Sequence, residues 1–487
     1  MKYGKFLLIL LVAALLLTFF ASAGTLPYDT YNYDYWGNVV FTPAPYIPDK
    51  FVTCAGLEWQ GVPIGGFKSP QDLCVSVDGN IYVADTGNHR IVVLNGAMTE
   101  VLGVINSFAM DGAEQKFKSP YGVAVTENGD LYIADSDNHR IVVLAPDGTL
   151  IKIIDNPQAE VLAEGFVFTP LKVCVDYAGR VYCIAKNMFE GIMVFESGGN
   201  FTGFFGTINV KISMWEKFWK KFSTKEERSK QQLYIATEFT GIDVDEEGFV
   251  YASNVDTEGI QAVRRLNPRG QDVIRKGIDG NLGGDTTFAT TSEYGGPSTI
   301  KDVVYRGHGI YSLLDNRRGR VFTYDHEGNL LYVFGGLGTQ TGTFTTPVAI
   351  EQVGDDLLVL DTTRAAILRF SVTEYGSLIN EAVALRHDGD ETQAVQLWEK
   401  VLELDENNEL ANTGIGKAYL TAGENRLAMT YLKRGMNRAY YSVAFKRWRN
   451  EQIKGHLDTV LTVALCAAAG GVVFGIVRKR KKGGKKA

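Results

Sequence analysis

Cysteine and histidine are both scarce, five of the first and six of the second in 487 residues. Thiols at Cys54, Cys74, Cys174, Cys183 and Cys466 are too few and too scattered for a disulfide framework, so free thiols are expected. Four of the histidines are spoken for: His89 and His139 recur within a repeat, His387 falls in a helical segment and His456 beside an apolar run. The remaining pair, His308 and His326, lacks the spacing of a metal cluster, and no metal ligand is assigned. Neither a Gly-x-Ser-x-Gly elbow, a phosphate loop nor a calcium loop is present, so no catalytic residue is assigned either. Positive charge is missing from the bulk of the chain. The total is −7, and setting aside the seven charges of the last ten residues with Lys2 and Lys5 leaves −16 for residues 24–477. Such a surface repels polyanions, which makes nucleic acid a poor partner.

What the chain does have is self-similarity. Asp85, Asn88, His89 and Arg90 recur as Asp135, Asn138, His139 and Arg140, fifty positions later, each set followed by Ile-Val-Val-Leu. Ser69-Pro70 and Ser119-Pro120 open the two copies, with Gly79 and Gly129 nine positions after each proline and Tyr82 and Tyr132 three further on. Pro170, Gly179 and Tyr182 keep these spacings in a third copy, and Gly248, Tyr251 and Asn254 mark a fourth. A fifth carries Tyr311, Asp315 and Arg320; a sixth runs from Pro347 through Asp361 to Ile367, with Ala366 in place of arginine. Within each copy the alternation predicts short strands, and the glycines stand where hairpin turns need positive φ. Six such copies fit the blades of a propeller. Asp and Arg bracket a turn between consecutive strands, so an intrablade carboxylate–guanidinium bridge is expected.

These residues resemble the NHL repeat family, whose Asn-His-Leu-like triplet here reads Asn88-His89-Arg90 and Asn138-His139-Arg140. The resemblance spans roughly 60–372, is specific in the first two copies, and implies a six-bladed β-propeller. Copy six lacks a clear fourth strand after Phe370, so a segment between Trp36 and Thr53, within an N-terminal stretch of 24–59, is expected to close the ring.

The ends give an address. Lys2 and Lys5, an apolar run from Phe6 to Leu17 and Ala21-Ser22-Ala23 read as a signal peptide over 1–23. Thr459 to Val477 is nineteen residues without a charge, long enough to cross a bilayer, and the basic residues of 478–487 would hold that tail in the cytoplasm. The expectation is a single-pass plasma-membrane protein with a large extracellular N-terminal region. Between propeller and membrane, over 378–455, the period shifts to 3.6. Ala384 and Ala418, Gly389 and Gly423, and Ala394 and Ala428 stand thirty-four apart, which resembles a pair of tetratricopeptide (TPR) repeats.

Residues 207–237 interrupt the propeller spacing as an expected helical insertion. There Trp215, Phe218, Trp219 and Phe222 fall on one helical face, expected to meet the propeller, a membrane surface or a partner. Asp72, Lys172 and Asp302, near the starts of inner strands, are the candidates for a ligand at the channel mouth, with solvated loop charges as the plain alternative. The repeated Asp-x-x-Asn-His-Arg sets serve the blade, because a group present at the same place in adjacent blades is not one site. The resulting reading is mainly β: a membrane-anchored extracellular scaffold without a cofactor, presenting its propeller to a protein, peptide or glycan. The alternative, implied by likeness to gluconolactonase-type and lyase propellers, is a metal-dependent hydrolase or lyase acting in the channel.

Overall fold

β-branched and aromatic residues alternate along short strands, and the antiparallel sheets they form bury both faces against their neighbours. The computed structural model describes residues 26–206, 238–256, 261–276, 282–285 and 298–483. The expected signal peptide, and the insertion with Trp215, Phe218, Trp219 and Phe222, lie outside the described residues. The chain forms two units, Met1–Asn380 and Glu381–Ala487.

The first unit is a six-bladed propeller. Blade one comprises Asp72–Val75, Ile81–Asp85, Arg90–Leu94 and Val101–Ile105; blade two Pro120–Val125, Leu131–Asp135, Arg140–Leu144 and Leu150–Ile154. Blade three comprises Pro170–Val175, Val181–Ala185, Ile192–Phe195 and Phe201–Phe205. Blade four has three strands among the described residues, Phe239–Val244, Val250–Asn254 and Val263–Leu266. Blade five runs Ile300–Tyr305, Tyr311–Asp315, Arg320–Tyr324 and Leu330–Phe334. Blade six takes Pro347–Val353, Asp356–Asp361 and Ala366–Val372 from its own repeat and its outermost strand, Tyr46–Val52, from near the N-terminus, with Val52 opposite Ile367 and Tyr46 opposite Val372. Ring closure is thus a pairing of distant chain segments.

Gly79, Gly129, Gly179 and Gly248 turn the first hairpin of blades one to four at φ 77°, 86°, 76° and 79°. Apolar side chains then fill the wedges between blades: Ile91, Val123 and Ile133 between one and two, Phe168, Val181 and Phe195 between two and three. Each fully buried aliphatic contributes roughly 1.5–3 kcal/mol. Between blades five and six the wedge is aromatic, with Tyr46 stacked on Phe334 at 5.0 Å and Phe370 between Phe334 and Phe344. One arrangement has no forerunner in the repeat frame. Tyr31–Tyr33 and Val39–Phe41 form a hairpin on the outer edge of blade five, extending it to six strands.

Five helices follow: α1 Glu374–His387, α2 Glu391–Leu404, α3 Glu409–Thr421, α4 Asn425–Arg434 and α5 Arg438–Gly483. Asn380 of α1 accepts from the Tyr332 hydroxyl at 2.6 Å and donates to that of Tyr46 at 3.2 Å, within the propeller unit. In the second unit, Asp390 and Asn408 cap α2 and α3 by accepting from the amides of Gln393 and Ala411. Gly414 lets α3 lie against the Trp398 indole, where any Cβ would collide with the ring. The start of α5 packs through Ala444 onto Ala428 and Leu432. Thr459–Val477, by contrast, is exposed throughout, and α5 is long and apolar enough to cross a membrane.

Candidate functional site

Six positions on the inner strands are equivalent by register: Asp72 opposite Ala84, Gly122 opposite Ala134, Lys172 opposite Ile184, Gly241 opposite Ser253, Asp302 opposite Leu314 and Ala349 opposite Leu360. In blades two to six each follows a break in register, which turns its side chain inward. Odd blades therefore supply Asp, Lys and Asp, and even blades Gly, Gly and Ala. Six large side chains could not share the lumen, and the small residues make room for the three charges. A Cβ on Gly122 would strike the backbone of Leu171 and Lys172; one on Gly241 would strike Asp302.

Lys172 Nζ lies 2.5 Å from Asp72 Oδ1 and 3.1 Å from Asp302 Oδ2, so one ammonium joins blades one, three and five. The carboxylates also reach sideways. Asp72 accepts from the amide of Val123 in blade two at 3.0 Å, and Asp302 from that of Ile350 in blade six at 3.1 Å. All three residues are buried, not solvated at a mouth, so the reading of them as loop charges is corrected. Burial raises the Asp72 carboxyl to about 6 and raises that of Asp302, each opposed by the Lys172 charge. Burial would lower Lys172, but Asp302 and Asp72 outweigh it and leave the amine raised. The cluster titrates as a unit.

One step along the strands, the equivalent positions are Cys74, Ala124, Cys174, Asp243, Val304 and Glu351. Asp243 accepts from the amide of Tyr305 in the next blade at 2.6 Å, repeating the sideways reach of the first layer. Asp243 and Glu351 are half-buried by surface, yet protein surrounds both. Burial pushes Asp243 up to about 7, and burial followed by the charges of Asp243, Asp302 and Asp72 pushes Glu351 well above the usual carboxyl range. The thiols of Cys74 and Cys174 are raised by burial and then chiefly by Glu351 and Asp243 respectively, so they stay protonated and unreactive. Sequence reasoning missed this layer, although counting two residues on from Asp72 and its equivalents would have found it. Among the described residues no three of these donor atoms approach within 4.8 Å of one another, so as placed they do not form a metal centre. All five cysteines are free.

The repeat motif lies at the turn joining the second and third strands. Arg90 Nε meets Asp85 Oδ2 at 2.7 Å and Arg140 Nε meets Asp135 Oδ2 at 2.9 Å. Asn88 and Asn138 donate to the same carboxylates at 2.8 Å, and their other bonds go to the carbonyls of Gly66 and Lys116. His89 and His139 hold the left-handed position at φ 56° and 59°. Their rings face the following blade: His89 Nδ1 accepts from Ser119 N, and His139 Nδ1 lies 3.0 Å from Phe168 O. Blade five departs from the expected bridge. Arg320 stands opposite Asp315, but its guanidinium is drawn to the carbonyls of Asp29 and Gly335 and over the Tyr31 ring, because the N-terminal hairpin docks there. Arg318 Nη1 lies 3.7 Å from Asp315 Oδ2.

Against known families, the model of the NHL repeat matches residues 67–94 and 117–144, which hold the first three strands of blades one and two, so the chain carries NHL repeats. Among curated proteins nothing matches the chain. Similar solved structures include a virginiamycin B lyase from Staphylococcus aureus, 9% identical, covering 66% of this chain and 99% of that one at a TM-score of 0.41. A streptogramin B lyase is 13% identical, covering 63% and 94% at 0.39. A protein of unknown function from Bacteroides thetaiotaomicron is 14% identical, covering 69% and 80% at 0.43.

Proposed function

We propose that this chain is a membrane-anchored extracellular scaffold whose propeller binds a protein, peptide or glycan and does no chemistry. The observation that carries the reading is the engagement of Lys172 by both Asp72 and Asp302. The charges of this layer are spent on one another and on amides of adjacent blades, which favours the rims as the recognition surface. The acidic balance of residues 24–477 suits partners that are neutral or basic. Thr459–Val477 would anchor the chain, with the basic tail inside and residues 1–23 removed as a leader. The paired helices α1–α4, with turn glycines at Gly389 and Gly423, would act as a TPR-like spacer or docking module. Trp215, Phe218, Trp219 and Phe222 would touch the membrane or a partner.

Crosslinking the intact protein in its own membrane and identifying its neighbours tests this reading; a chain recovered alone at saturating crosslinker contradicts it. The rival, a metal-dependent hydrolase or lyase, would draw on Asp243 and Glu351. It gains if purified full-length protein retains one equivalent of a divalent metal through dialysis and loses it in Asp243→Asn.

A further inference from the structure

The carboxylate that closes the motif turn is missing from two blades: in blade three Ala185 holds its position, and in blade four a polar residue does. The second strand ends at Asp85 in blade one, Asp135 in two, Asp315 in five and Asp361 in six, and each accepts the backbone amide of the chain leading into its blade: Lys68, Lys118, Thr299 and Thr345. In blade four the equivalent residue, opposite Phe239 as Asp135 is opposite Pro120, is Asn254. It is 2% exposed, and among the described residues neither its Nδ2 nor its Oδ1 has a partner. Arg264, opposite Ala252, shares that face of the sheet and is 7% exposed. Its Nη1 reaches Gly206 O at 3.5 Å and its Nη2 donates to Gln261, while Nε is buried without a partner. Among the described residues no carboxylate forms an ion pair with it.

An unmet buried amide and a buried cation with no carboxylate in contact, only the more distant charges of Asp272 and Asp256, are both costly, and blade four puts them on one face of its sheet. Two inward N–H donors, one of them charged, match the oxygens of a carboxylate, the group this position holds in four other blades. We infer that Asn254 and Arg264 form a binding site, at the junction of blades three and four, for a carboxylate supplied by a small organic acid or an acidic peptide. Gln261, itself exposed, covers the Nη2 edge of the guanidinium, so its rotation opens the way in. The inference does not depend on the scaffold reading.

The test is thermal unfolding of the full-length protein in detergent. Sodium acetate is compared with sodium chloride at equal ionic strength, and a capped peptide bearing one glutamate with its glutamine counterpart. Wild type should gain a saturable rise of about 2–4 °C from acetate, from the glutamate peptide or from both. Acetate alone sufficing assigns a small acid; a response to the peptide only assigns an acidic peptide. Arg264→Gln should abolish the response. Asn254→Asp, which supplies the anion from within, should raise Tm in chloride and remove any further response. No carboxylate-specific rise in wild type, or an undiminished rise in Asn254→Asp, overturns the inference; if Arg264→Gln fails to fold, the Asn254→Asp comparison decides alone.

Discussion

The motif turns and the channel lumen solve opposite problems with the same strands. Each turn meets the same partners, in its own blade and at the edge of the next, so Asp85 and Asp135 can be copies of one another, with the same asparagine, histidine and arginine around them. The lumen is one space shared by six blades, and six copies of any charged residue there would repel or collide. Its occupants must differ, and Asp72, Gly122, Lys172, Gly241, Asp302 and Ala349 alternate in size and set one ammonium between two carboxylates. Repetition marks what is local; its breakdown marks what is shared.

That contrast can be broken first at Lys172. Lys172→Met leaves two buried carboxylates facing each other and should cost about 3–5 kcal/mol in chemical denaturation. A cost below that of Asn138→Ala would mean the lumen is not a common lock. Gly241→Ala comes next, at about 1–3 kcal/mol, because the added methyl must displace Asp302. The third test is the pH dependence of stability. Asp243 has a folded value of about 7 against 3.8 unfolded, so the native state binds more protons between those limits. Stability should fall as pH rises from about 4 to 7, by on the order of 1–2 kcal/mol once lumen water relaxes the site, and Asp243→Asn should flatten that slope. Asn138→Ala, which loses two hydrogen bonds in one blade only, should cost about 1 kcal/mol. Deleting residues 459–487 should leave all these stabilities unchanged while moving the protein from the membrane to the soluble fraction; continued sedimentation with membranes would contradict an anchor there.

Much of the fold was legible because the turn glycines and the Asp–Arg pairs recur at fixed intervals. Asp72, Lys172 and Asp302 could be placed on inner strands by the same frame, but not their mutual pairing, since nothing in a linear sequence relates a lysine in blade three to aspartates in blades one and five. Asp243 and Glu351 escaped notice because their equivalents are Cys, Ala and Val, and a layer of unlike residues has no period. The blade-five hairpin escaped for another reason. Tyr31–Tyr33 and Val39–Phe41 lie before the first repeat and pair with an edge that carries no signal of its own. The exposed stretch Thr459–Val477 was plain from composition alone, because an uncharged run of that length has few other uses.

The use of Tyr46–Val52 as the last strand of blade six has a consequence for how the molecule is made. That segment leaves the ribosome before any blade, yet its partner Ile367 follows only when nearly the whole ring has been synthesised. At ordinary elongation rates the wait is on the order of tens of seconds. Throughout it the early segment is an unclaimed strand, and blade one lacks the neighbour against which Ile81 and Leu358 will share a core. Blades one to five can assemble in order, but the circle is sealed in a single late event, and a nascent chain cut short before Ile367 lacks the strand that seals it.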